Sequence, residues 1–161
     1  MAVQPVPEGY PCLTPYLCVD GAADAIDFYV SVLGAVERMR MPAPGGIIGH
    51  AELAFGNSVV MLADEFPGLD FRSPKVVGGT PVTLHLYVED VDAVFAKALA
   101  RGAKELQPVK DEFYGDRTGQ LEDPFGHRWN LATHVEDVPE EEMAKRAQEA
   151  MRSTQPPSDA A

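Results

Sequence analysis

Apolar and polar residues alternate with a period of two over residues 13–19, 48–55, 58–63, 82–88, 118–122 and 128–133, which predicts strands with one covered face. Between these runs the period changes. Ile26, Tyr29, Val30 and Leu33 recur at helical spacing over 23–33, and Val91, Val94, Phe95, Ala98 and Leu99 do so behind Asp90, a residue suited to capping a helix. Gly34 and Gly102 follow these helices as left-handed stops. Shorter strands are expected near 36–41 and 104–107, and Gly56-Asn57 reads as a hairpin turn.

The order repeats. Tyr16-Leu17-Cys18-Val19-Asp20 answers His85-Leu86-Tyr87-Val88-Glu89 at an offset of 69, Gly34 answers Gly102 at 68, and Phe55-Gly56 answers Phe125-Gly126 at 70. Each copy reads β-α-β-β-β, so the expected fold class is α+β, two tandem βαβββ modules forming a β-lined cup. The chain divides into a flexible N-terminus (1–11), a first module (12–63), a Pro- and Gly-rich linker expected to be loop throughout (64–81), a second module (82–135), an acidic helix (136–152) and a disordered tail (153–161). In that helix Glu140, Glu141 and Glu142 suit the N-terminal dipole, with Glu141–Lys145 and Glu142–Arg146 as pairs four residues apart.

Strand parity sorts side chains onto two faces. Leu13, Leu17, Val19, Leu53, Leu62, Leu84, Leu86, Leu121, Trp129 and Leu131 share the face that the helices should cover. Thr14, Tyr16, His50, Glu52, Met61, Thr83, His85, Tyr87, Gln120 and Asn130 share the other. Its Thr, Tyr, His and Met content, matched in both copies, suits a ligand-lined concave surface better than a wet sheet rich in Lys and Glu.

Composition narrows the partners. The formal net charge is −12 with no Lys/Arg cluster, which disfavours nucleic acid and anionic membranes. No apolar run approaches the ~20 residues of a membrane span. Cys12 and Cys18 lie on one expected strand, roughly 20 Å apart, too far to pair. Free thiols suit a reducing compartment, so a cytoplasmic location is expected.

The stretches Pro15-Tyr16-Leu17, Ala25-Ile26-Asp27-Phe28-Tyr29 and Leu33-Gly34-Ala35 resemble the vicinal oxygen chelate superfamily, the glyoxalase, bleomycin-resistance and extradiol-dioxygenase group. His50-Ala51-Glu52-Leu53, Phe113-Tyr114-Gly115-Asp116-Arg117 and Asp123-Pro124-Phe125-Gly126-His127 resemble its PhnB-like branch, over roughly residues 10–137. The resemblance implies the cup-shaped fold, a small-molecule ligand and a homodimer. Its metal-dependent members take ligands at positions that fall here on Thr14, Met61, Thr83 and Asn130, none of them His, Glu or Asp.

Three functions stay open. One is a small-molecule-binding protein, acting in resistance or sequestration or as a metal-free enzyme with Glu52 or His85 as acid or base. Another is a lyase, isomerase or dioxygenase with a divalent metal displaced onto His50, Glu52 and His85. A third is a regulatory or assembly module with a vestigial cup. For the first, Tyr16, His50, Glu52, His85, Tyr87 and Asn130 should line one cavity, with Tyr114 or Arg117 at its mouth, Arg117 either clamping an anionic group or tying the loop to Asp116 or Asp123. His127 and Trp129 read as structural, and His134 is open to either role.

Overall fold

The computed structural model describes residues 3–154. The first module runs β1 (Tyr16–Val19), α1 (Ala22–Ser31), β2 (Val36–Pro42), β3 (Ile48–Phe55) and β4 (Ser58–Asp64). A 3-10 turn (Pro67–Leu69) and the short helix α2 (Pro74–Val77) follow. The second module runs β5 (Thr83–Tyr87), α3 (Val91–Ala100), β6 (Lys104–Asp111), β7 (Asp116–Glu122) and β8 (Arg128–His134), and α4 spans Glu140–Thr154.

Each module is a four-stranded mixed sheet, ordered β1-β4-β3-β2 and β5-β8-β7-β6. In both, the first strand pairs in parallel with the last and the other pairings are antiparallel, so the internal repeat extends to topology. It extends to the helix starts as well. The Asp64 carboxylate accepts from the amides of Gly21 and Ala22 at the head of α1, and from Ile48 N on β3. Sixty-nine positions later Thr133 Oγ1 accepts from Val91 N at the head of α3 and donates to Val88 O. Asp90 also caps α3, accepting from Ala93 N. A residue at the end of each last strand thus satisfies amides that a helix leaves unpaired.

The helix-facing parities of both sheets enter one apolar cluster, with Val19, Leu53, Leu62, Leu121 and Leu131 fully buried. The modules meet there. Tyr29 of α1 donates to Asp123 at 2.6 Å, and Trp129 Nε1 donates to the same carboxylate at 2.9 Å. Phe28 and Tyr29 stack edge-on against Phe125, Phe55 lies 5.6 Å from Trp129, and His127 Nε2–H donates to Cys18 O. Arg101 closes the contact on Asp27.

Several boundaries differ from the sequence expectation. The linker is not loop throughout, because Pro67 and Pro74 open short helical turns. Leu13 is exposed, since β1 begins only after Pro15. β6 continues through Pro108, which an edge strand with two register shifts tolerates. α4 keeps the Glu142–Arg146 pair, but Lys145 approaches Glu142 and not Glu141. Residues 153–154 belong to α4, and the rest of the expected tail, 155–161, lies outside the described residues.

Candidate functional site

On the polar face of the first sheet, β1, β3 and the segment before β1 bring four side chains into one chain of hydrogen bonds. Tyr16 OH meets His50 Nδ1 at 2.7 Å, His50 Nε2 meets Glu52 Oε1 at 3.2 Å, and Tyr10 OH donates to Glu52 Oε2 at 2.7 Å. A neutral imidazole protonated on Nε2 fits this pattern, accepting from Tyr16 and donating to Glu52. Arg38 lies 4.0 Å from Glu52 and 4.6 Å above the Tyr10 ring. Burial alone would raise the Glu52 pKa, but the bonds from Tyr10 and His50 and the charge of Arg38 outweigh it and hold the carboxyl below its ordinary range. Burial pushes the Tyr16 phenol up, which keeps it a neutral hydroxyl, and its side chain remains 47% exposed.

The second sheet builds a different network. Asp116, buried at the start of β7, accepts from Tyr87 OH and from His134 Nδ1, both at 2.7 Å. His134 Nε2 reaches Asp137 at 2.9 Å, so both ring nitrogens donate and the imidazolium form fits. The bonds to Asp116 and Asp137 raise the His134 pKa. Desolvation would raise that of Asp116, yet the donors Tyr87 and His134 bring it below its usual value. The bond to Asp116 raises the Tyr87 phenol, which stays neutral and 59% exposed. Asn130 Nδ2 donates to His85 Nδ1 at 2.8 Å, and the His85 and Tyr87 rings lie 4.8 Å apart.

The residues expected in one cavity therefore form two groups. Tyr16, His50 and Glu52 are joined, and His85, Asn130 and Tyr87 are joined. Among the described residues no hydrogen bond, ion pair or ring contact links the groups, so within one chain His85 is not the partner of Glu52. The His50, Glu52 and His85 metal set is not brought together within one chain, where among the described residues no three His, Cys, Asp or Glu side chains are placed to hold a metal ion.

Arg117 points away from both groups. It shares the parity of Gly119 and Leu121 and pairs with Asp92 on α3 and with Asp111, at 2.7 and 3.0 Å, in place of Asp116 or Asp123. Tyr114 lines a small cavity of about 350 Å³ with His134 and the start of α4. A larger cavity, about 830 Å³, opens between the modules and takes only His85 and Tyr87 from the expected set. Three residues of these networks carry no sequence signal for the role: Tyr10 sits outside any periodic segment, Arg38 sits at a β2 register shift, and Asp116 reads only as a partner for Arg117.

The model of the Glyoxalase/Bleomycin resistance protein/Dioxygenase superfamily matches residues 12–131. An uncharacterized protein of Mycobacterium tuberculosis is 48% identical over 131 residues, covering 80% of this chain and 77% of the relative. Among solved structures, TioX from Micromonospora sp. ML1 is similar at 27% identity with a TM-score of 0.58, covering 76% of this chain and 98% of that one. TnmS3, an antibiotic binding protein from Streptomyces sp. CB03234, shares the fold at 24% identity and a TM-score of 0.57, covering 84% and 99%.

Proposed function

Because the chain belongs to the glyoxalase/bleomycin resistance protein/dioxygenase superfamily, we propose that it is a small-molecule-binding protein whose cup is completed by a second copy in a homodimer. The observation that carries the reading is the pair of exposed neutral tyrosines, each backed by a buried carboxylate: Tyr16 through His50 on Glu52, and Tyr87 directly on Asp116. A phenol held neutral, with its proton already committed to an acceptor, offers an oxygen lone pair and a flat apolar ring. Such groups hold a ligand; they are poor proton-transfer catalysts at neutral pH. The ligand they fit has planar apolar surface and N–H or O–H donors.

The half-sites do not touch within one chain, and each presents an open polar face with an exposed aromatic ring. A second copy that sets His85, Tyr87 and Asn130 opposite Tyr16, His50 and Glu52 closes a cup from both. That TnmS3, a protein sharing the fold, binds an antibiotic supports a cup able to enclose a compound of that kind. Free Cys12 and Cys18 fit residence in the reducing cytoplasm, and no helix among the described residues is long and apolar enough to cross a membrane.

The test is a thermal-shift screen of metabolites and antibiotics against the wild type and Glu52→Gln, since a tight ligand raises stability by mass action. At least one compound should shift the wild type. The substitution, which removes the charge that orients His50, should weaken that compound about tenfold or more while the unliganded melting temperature stays close. Equal binding by both proteins would remove Glu52 from the site.

A further inference from the structure

The geometry points to a second ligand site on the helix-facing side, in the cavity between the modules, for a flat neutral aromatic molecule carrying one hydrogen-bond donor. The internal repeat carries the argument. In one direction, the β7–β8 turn of the second module docks against the outer edge of β1. Phe125 packs on α1, and His127 donates to Cys18 O, a carbonyl that β4 does not use. The counterparts are Phe55 and Asn57 on the β3–β4 turn and Tyr87 on β5.

There the contact is not made. Val88 N bonds to Ala132 O, so Leu84, Leu86 and Val88 turn their peptide groups toward β8, while those of His85 and Tyr87 face outward. No backbone partner meets that edge among the described residues. Asn57 is exposed and makes no side-chain hydrogen bond to β5. Phe55 turns to Trp129 instead, at 5.6 Å.

What remains is a cavity of about 830 Å³, walled by Leu33, Phe55, Val60, Leu86, Val94 and Trp129, with the edge of β5 along one side. Leu84, Leu86 and Val94 have core parity yet stay partly exposed, whereas Leu17 and Val19 in the first module are buried. The volume falls within the range of small-molecule sites. The intramolecular precedent defines the occupant, an aromatic group for the apolar wall and a donor for the carbonyl of Tyr87. The walls hold no Lys or Arg, Glu89 lines the cavity and the chain carries −12, which disfavours an anion, and the apolar walls disfavour a charge of either sign, so a neutral occupant fits.

The probe is N-phenyl-1-naphthylamine, which is neutral and aromatic, has one N–H, and fluoresces in apolar surroundings. It should bind saturably at one molecule per chain and quench Trp129, the only tryptophan, by energy transfer. Val94→Phe or Leu86→Trp, each filling the cavity, should weaken binding about tenfold or more. Phenylnaphthalene, which lacks the donor, should displace the probe with an inhibition constant about tenfold above the probe's own dissociation constant.

Glu52→Gln, on the polar face, should leave probe affinity within about twofold, so this site and the polar one fail separately. Non-saturable binding, binding without quenching in the wild type, or binding unchanged in both cavity variants would overturn the assignment. So would loss of the probe as protein concentration rises, because a second copy would then fill the cavity.

Discussion

Glu52 and Asp116 are both buried and both ionised, and their partners differ in kind. Glu52 is held by two neutral donors and a marginal cation, whereas Asp116 shares a proton-bearing imidazole with the exposed Asp137. The second arrangement joins two groups whose titrations shift in opposite directions on folding. The His134 pKa is raised on folding, so its contribution is fully present below the unfolded value and is lost as pH rises through the folded one. The Asp116 pKa is lowered, so its contribution is present above the unfolded value and is lost as pH falls through the folded one. The link is therefore strongest between the two ordinary values, about pH 4 to 6.5. His134→Ala should lower urea stability clearly at pH ~5.5 and much less at pH ~9. A pH-independent gap between the proteins would refute the ionic link.

At this scale the sequence was partly legible. Alternation placed Tyr16, His50 and Glu52 on one face. The same alternation puts Arg117 with Leu121, and treating Arg117 as a loop residue hid that, because β7 begins at Asp116.

Among the elements, the two helix starts form a matched experiment. Asp64 holds three amides and Thr133 holds one while donating to a carbonyl, each at the end of its module's last strand. Removing a cap costs about 0.5–2 kcal/mol, and the extra bond from Ile48 N adds about 1 kcal/mol. Denaturant unfolding should therefore place Asp64→Ala about 2–3 kcal/mol below the wild type and Thr133→Val about 1–2 kcal/mol below it. Equal losses would mean that the Ile48 bond contributes nothing. The strands, helices α1 and α3 and their glycine stops were readable from periodicity and from the repeat. The turns at Pro67 and Pro74 were not, since three or four residues carry no period and a Pro-rich stretch reads as loop.

For the molecule as a whole, the repeat specified what each copy folds into and carried no information on how the copies meet. That is decided by particular side chains without a repeat partner of the same kind: Tyr29, whose counterpart is Ala98, and Asp123, which gathers Tyr29, Trp129 and the amides of Phe125 and His127. The contact couples the apolar faces and leaves the polar groups of the two sheets unconnected within one chain. The proposed binding site therefore depends on a second copy.

The most direct measurement is an isotope-filtered NMR experiment on a mixture of labelled and unlabelled chains, reporting only contacts between different molecules. A cup closed by two copies gives contacts from the rings of Tyr16 and His50 in one chain to His85 and Asn130 in the other. Their absence, together with a particle of 17.4 kDa at micromolar concentration, would contradict it.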